Sequence, residues 1–292
     1  MKKLIRIIHH HLLEIKWGII NLIWMMIRVK NKTRKPSSPS FTIGIGTYKE
    51  RYQTFLKPLI ERLTFVFPDT PIIIAVNGYH NHTEQKVYLK QIEKWGEAYQ
   101  NVSLITFIEP EGLCKLWNQI IVNSPTDKVF LLNDDINISP NFKKQLFSCD
   151  ILNSTFGIIN KSYSHFMIDK TLIEHVGWFD ERFPGIGYED HDIEIRMVLA
   201  DRKIDHFNIP SIKNEHVIPK DWSFNKEHGV ILSKYSKPNE DHYFKKWEFS
   251  DSKKEGFTFV RITKGYARLK EGMETPDFYN KNEFNTSTAI EK

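Results

Sequence analysis

"KVFLLNDDINISPNF", Lys128 to Phe142, is a continuous apolar run that ends abruptly in Asn133, Asp134 and Asp135. An apolar run of this length without alternation reads as a strand buried on both faces, the kind found in parallel sheets. Ser139 followed by Pro140 is a good N-cap and first-turn pair, so a helix is expected directly after the acidic turn. Two adjacent carboxylates at a buried strand end repel each other unless a cation or hydrogen-bond donors compensate, and a hard divalent ion beside substrate phosphates is one solution.

Working outward, the same alternation repeats. "FTIGIG" (41–46), "PIIIAV" (71–76) and "NVSLITFI" (101–108) read as strands. "RYQTFLKPLIERLTFVF" (51–67), the stretch from Glu84 to Tyr99, and "GLCKLWNQIIVNS" (112–124) read as the helices between them. The pattern predicts an α/β domain with a mostly parallel central sheet covered on both faces. In such sheets ligands gather at the carboxyl ends of the strands. The segments to inspect are therefore "GTYKER", "NGYHN", "EPEG" and "NDDINISP". Neither a G-x-x-x-x-G-K-[ST] nor a G-x-G-x-x-G loop occurs, so a bound nucleotide must be held by side chains and a metal.

A second acidic cluster lies in "GWFDERFPGIGYEDHDIEIRM" (177–197), where Glu189, Asp190 and Asp192 flank His191 at a helix start. Acids in a first turn favour the helix dipole, and Asp192 and Arg196 are spaced to pair at i, i+4. The loop "FPGIGY" before them supplies mobility.

Charge is unevenly distributed. Residues 1–35 hold nine Lys/Arg against one Glu, a local +8, so of the overall +5 the rest of the chain carries −3. A mildly acidic body argues against a nucleic-acid-binding protein. "MKKLIRIIHHHLLEIKWGIINLIWMMIRVK" (1–30) lacks an A-x-A cleavage pattern, and its longest apolar run, Trp17 to Ile27, is too short to span a bilayer and contains Asn21. Lys3, Arg6, His10, Glu14, Asn21 and Arg28 share one helical face, which predicts an amphipathic helix lying in a membrane surface. Residues 31–40, with two prolines and three serines, form a linker. Cys114 and Cys149 match no metal spacing and are expected to be reduced.

These motifs together resemble the GT-A fold nucleotide-sugar glycosyltransferases, most closely the inverting family 2. "LLNDD" is similar to the D-x-D element, with Asn133 in place of its first acid. "FTIGIGTYKERYQTFLKPLIERL" resembles the first strand, turn and helix, and "EGLCKLWNQIIVNS" the helix carrying a family Asn, here Asn118. "GWFDERF…GYEDHDIEIRM" resembles the G-x-F-D-E-x-F…E-D-x-D-x-x-x-R segment, and "DHYFKKWE" (241–248) the late Y-F-x-x-K-W element. The resemblance runs from 41 to 248 and implies one catalytic GT-A-like (Rossmann-like) domain there, leaving 249–292 as an extension without a motif.

What the resemblance implies for the site is specific. Asp190 is the expected catalytic base, and crowding by Glu189 and Asp192 is expected to raise its pKa. Asp135 and His216 are expected to ligate Mn2+ or Mg2+, with Thr47, Arg51, Asn77, Lys115 and Asp134 around the donor nucleotide. Glu189, Tyr188 and Trp178 are candidates for the acceptor side. The implied activity is inverting transfer of a sugar, from a UDP-sugar by expectation, to a glycan or lipid-linked glycan in surface polysaccharide synthesis. The enzyme would sit peripherally at the cytoplasmic face of the cell membrane through residues 1–30. The rivals are a nucleotidyltransferase, for which "GIGTYKER" is a poor phosphate loop, and an inactive carbohydrate-binding or scaffolding protein on the same fold.

Overall fold

The computed structural model describes residues 40–214, 237–249, 265 and 267–279. The amphipathic segment 1–30, the linker to residue 39 and the 215–236 stretch with His216 lie outside the described residues. Where the sequence reads as strand and helix in alternation, the chain forms β1 (Thr42–Thr47), α1 (Lys57–Val66), β2 (Ile72–Val76), α2 (His82–Gly96), β3 (Val102–Thr106), α3 (Leu113–Asn123) and β4 (Lys128–Asn133). Parallel pairing joins them in the order β3-β2-β1-β4.

Beyond β4 the sheet changes character. β6 (Phe156–Ile159) and β7 (Ser162–Asp169) follow, then α5 (Lys170–Val176), α6 (Glu189–Leu199) and β8 (Asp205–Phe207). β7 runs antiparallel to β4 and β6, and the full order is β3-β2-β1-β4-β7-β6-β8. A small antiparallel pair, β5 (Ile136–Ile138) with β9 (Ile212–Asn214), sits beside the acidic turn.

Alternation along the buried strands feeds two cores. Ile72, Ile74 and Val76 point to one face with α1, α2 and α4 (Phe142–Ser148), while Ile73 and Ala75 point to the other with α3, α5 and α6. The second core also takes in Tyr243 and Trp247 from the helix 237–246 (α7) and β10 (Trp247–Phe249), and Ala267 from β11 (Ala267–Leu269). The segment after residue 248 is thus joined to the body through β10 and β11, which pair antiparallel.

Two local expectations are revised. Residues 49–56 form a 3-10 turn and then a π-helical stretch before α1 begins. Pro58 occupies the first turn of α1 and has no N–H to bond back to residue 54, so the hydrogen-bond register slips there. The helix after the acidic turn caps on Asn141 rather than Ser139, whose carbonyl instead accepts from the Phe142 amide at 2.9 Å.

Candidate active site

Thr47 ends β1 and Asn133 ends the neighbouring β4, so the residues just past both strands share one edge of the sheet. There the Thr47 hydroxyl donates to Asp134 Oδ2 at 2.7 Å and Arg51 Nε donates to Asp134 Oδ1 at 2.6 Å. The same guanidinium reaches Asp135 Oδ2 through Nη2 at 3.0 Å. Burial pushes the Asp134 carboxyl up to about 6, against the opposing pull of Arg51 and Thr47. Burial works against the Arg51 charge too, yet the two carboxylates outweigh it and hold the guanidinium above its ordinary value. Asp135 Oδ1 is buried and has no hydrogen-bond partner among the described residues.

The neighbouring loops are sewn to this edge. The Asn77 amide N–H donates to the Thr47 carbonyl at 2.7 Å. Its side chain accepts from Gly78 N and Glu111 N, both at 2.8 Å, and donates to the Glu111 carbonyl at 2.9 Å. Asn77 therefore shapes the mouth by clasping the loops after β2 and β3. Lys115 pairs with Glu111 at 2.7 Å one turn into α3. A Cβ on Gly112 would lie 2.4 Å from the Phe183 carbonyl, and Leu113 N donates to Gly185 O at 3.3 Å. Glycine is required here so that the 183–187 loop can lie against the start of α3.

That loop delivers α6. Its N-cap, Tyr188, sits at φ 72°, and Glu189 and Asp190 follow in the first turn. Leu132 of β4 pairs with His165 of β7, so Tyr163, two residues before His165, stands at the edge where Asp134 follows Leu132. The Tyr163 hydroxyl donates to Glu194 Oε1 at 2.6 Å, and burial with the charges of Glu194 and Asp190 raises it. From the end of the β4–β7 pair where Asp134 lies, Tyr163 thus reaches Glu194, one turn of α6 past Asp190.

Within the α6 turn the carboxylates have separate fates. Glu189 is buried, its Oε2 has no hydrogen-bond partner among the described residues, and burial plus the charge of Asp190 lift it to about 8. Burial first and the neighbouring charge second thus keep Glu189 protonated near neutral pH. Asp190 is only half-buried, with Oδ1 accepting from the His191 amide at 2.9 Å. Asp192 is fully buried and pairs with Arg196 through Nε at 2.9 Å and Nη2 at 2.8 Å, as the i, i+4 spacing predicts.

Two acceptor-side expectations are corrected. Trp178 is 0% exposed; its Nε1 donates to Asp277 Oδ1 at 2.8 Å and its ring meets Tyr279 edge-on at 4.9 Å. No face of it is left for a sugar. Tyr188 is likewise buried, packed on Tyr243 at 5.0 Å with its hydroxyl donating to Glu240 at 3.2 Å. Sequence reasoning also missed what Asn118 does. Its amide donates to Phe179 O at 2.8 Å and Glu181 Oε1 at 2.9 Å and accepts from Phe179 N at 3.1 Å, latching the segment that leads to α6.

A mostly parallel α/β sheet with an acidic turn after β4, extended by an antiparallel strand that leads back to a second acidic turn, defines a GT-A class glycosyltransferase. The sequence pattern described as "Glycosyltransferase like family 2" matches residues 116–268, just over half of the chain, and the chain belongs to that family. Its family makes it a glycosyltransferase. Among solved structures, it is similar to glucosyl-3-phosphoglycerate synthase from Mycobacterium tuberculosis in complex with Mn2+, UDP and phosphoglyceric acid. That match has 11% identity and a TM-score of 0.46, covering 71% of this chain and 82% of that one. It is also similar to TarS of S. aureus (13% identity, TM-score 0.45, 59% of this chain and 36% of that chain). A third is GalNAc-T7 with UDP, GalNAc and Mn2+ (10% identity, TM-score 0.46, 70% and 50%). No protein of curated function matches the chain by sequence.

Proposed function

We propose that the enzyme moves a sugar from a UDP-sugar to a carbohydrate or lipid-linked glycan acceptor, with inversion at the anomeric carbon and with Mn2+ or Mg2+ in the site. The observation that carries the reading is the acidic turn, where Thr47 and Arg51 occupy both oxygens of Asp134 while Asp135 keeps a buried, unpartnered Oδ1. A hard, preformed oxygen donor of this kind fits a hard divalent cation, and Asp135 with His216 would hold it. When bound, that ion supplies Lewis-acid stabilisation of the departing diphosphate.

The chain's own groups divide the remaining work. Arg51 offsets part of the charge of the paired carboxylates and keeps Asp134 fixed toward the nucleoside side. Asp190, the more accessible acid of its turn, takes the proton from the acceptor hydroxyl as the new bond forms. Glu189, buried and neutral beside it, adds no second negative charge to the turn. The basic, apolar segment 1–30 would keep the enzyme at the cytoplasmic membrane face, where lipid-linked glycans are built.

Acceptor-free hydrolysis of UDP-glucose and UDP-N-acetylglucosamine with Mn2+ tests the reading. Wild type should release UDP, and Asp135→Ala and Asp190→Asn should each lose about 100-fold or more while melting normally. Hydrolysis that survives both substitutions refutes it. Cosedimentation with anionic vesicles that persists after deletion of residues 1–30 would refute the membrane assignment.

A further inference from the structure

Lys246 is a lysine with 0% exposure, and its ammonium spends each of its three donors inside the protein. It lies 2.7 Å from Asp192 Oδ1, and it donates to Asp180 Oδ2 at 2.7 Å and to the Thr275 hydroxyl at 2.8 Å. Three separate pieces of chain meet there: the first turn of α6, the 177–183 segment and the irregular 273–279 stretch. Asp192 is saturated. Trp247 Nε1 donates to its Oδ1 at 2.9 Å, and Arg196 takes Oδ2. Asp180 is held equally hard, with Arg182 Nε on Oδ1 and Nη2 on Oδ2, both at 2.8 Å, and His242 Nε2 at 3.3 Å. Burial opposes ionisation of Asp180, yet these donors hold its carboxyl far below the usual range.

Opposite charges in contact hold the cluster together as a unit. Two buried carboxylates face three cations, Lys246, Arg182 and Arg196. Burying any one of these ions alone is costly, and a network of this kind holds only while every member is paired. The far stretch of chain is held to the same segment by further bonds. Arg182 Nη2 donates to Met273 O at 3.1 Å and Glu274 O at 2.9 Å, and the Tyr279 hydroxyl donates to Glu181.

Helix geometry connects this cluster to the reactive turn. At 3.6 residues per turn, Asp190 lies roughly 200° around α6 from Asp192. Fixing Asp192 toward the core therefore fixes Asp190 on the opposite side, where it is half-buried and faces away from the ionic cluster. We propose that Lys246 is a positioning residue for glycosyl transfer: by gripping Asp192 and Asp180 together with Thr275, it sets the rotation of α6 that aims Asp190. The inference rests on Asp190 serving as the base, and it makes residues 273–279 part of the catalytic domain rather than an appendage.

The test uses the full chain with Lys246→Met and Lys246→Arg. In UDP-glucose hydrolysis with Mn2+, Lys246→Met should lower kcat by about 100-fold, the scale on which small misplacements of reactive groups act. Its Kd for UDP with Mn2+, measured by calorimetry, should stay within about twofold, since among the described residues no hydrogen bond or ion pair joins the acidic turn after β4 to this cluster. Lys246→Arg should recover at least tenfold of the lost kcat. A folded Lys246→Met with unchanged kcat overturns the proposal, as does equal loss of kcat and UDP affinity. Should Lys246→Met fail to fold, Thr275→Val and Asp192→Asn take its place, and unchanged kcat in both overturns it. Amide exchange over residues 190–193 supplies a readout independent of activity: it should quicken at least tenfold in Lys246→Met or its replacements. Unchanged exchange sinks the brace itself, whereas faster exchange in the variant, alongside a wild type that hydrolyses no nucleotide sugar, sinks only the functional reading beneath it.

Discussion

Replacing Glu189 with Gln isolates the most unusual ionisation in the site. A carboxyl carried from 4.5 in the unfolded chain to about 8 in the fold is held in its neutral form. Below 4.5 both states keep the proton and nothing is lost. Between 4.5 and about 8 the unfolded chain releases a proton that the folded chain retains, so stability falls as pH rises. Above about 8 the whole penalty is in place. At about 1.4 kcal/mol for each tenfold change the ceiling is about 5 kcal/mol, and the expected loss is about 2–5 kcal/mol. Glutamine has nearly the same shape and no proton to lose. Urea unfolding of wild type and Glu189→Gln at pH 5, 7 and 8.5 should show the variant gaining on wild type by that amount across the series. A stability difference that stays flat with pH refutes the buried neutral acid.

Three further substitutions probe the supports of the site. Asn118→Ala removes a buried amide that makes three hydrogen bonds to residues 179 and 181, and should cost about 2–4 kcal/mol by chemical denaturation, with loss of activity in step. Gly112→Ala drives a methyl into the Phe183 carbonyl, and should displace the 183–187 loop, cost about 1–3 kcal/mol in thermal unfolding and lower kcat more than it lowers UDP affinity. Trp178→Phe keeps the buried ring but deletes the bond to Asp277, and should cost about 1 kcal/mol in denaturant midpoint while leaving sugar affinity unchanged; a large rise in KM for the sugar would restore Trp178 to the substrate pocket.

The strands were readable because burial on both faces left continuous apolar runs, and β4 begins and ends where "KVFLLN" does. The D-x-D-like turn was readable because two carboxylates past a buried strand have few explanations, and Asp134 met its counter-charge in Arg51, already named from its place after β1. The roles within the α6 turn were not readable, since Glu189 and Asp190 are adjacent acids whose difference lies in which side of the helix the core covers. Trp178 and Tyr188 misled for a related reason. An aromatic ring in a loop-like segment suggests a sugar platform, and only the far-off partners at 243, 277 and 279 reveal it as core. Lys246 was visible only as part of the late "DHYFKKWE" element, with nothing to show its role: a lysine reads as surface until two distant aspartates are seen to enclose it. Segments such as 270–279 carry their information in long-range hydrogen bonds rather than in periodicity, so sequence patterns pass over them.

The central claim is that the turn at Asp134–Asp135 and the turn at Glu189–Asp190 serve one cleft. Anomalous diffraction from crystals grown with UDP and Mn2+ tests it most directly. The account predicts a manganese peak bonded to Asp135 Oδ1, with the Asp190 carboxylate facing the same cavity beyond the diphosphate. A peak elsewhere in the fold, or an Asp190 walled off from the nucleotide, would contradict it.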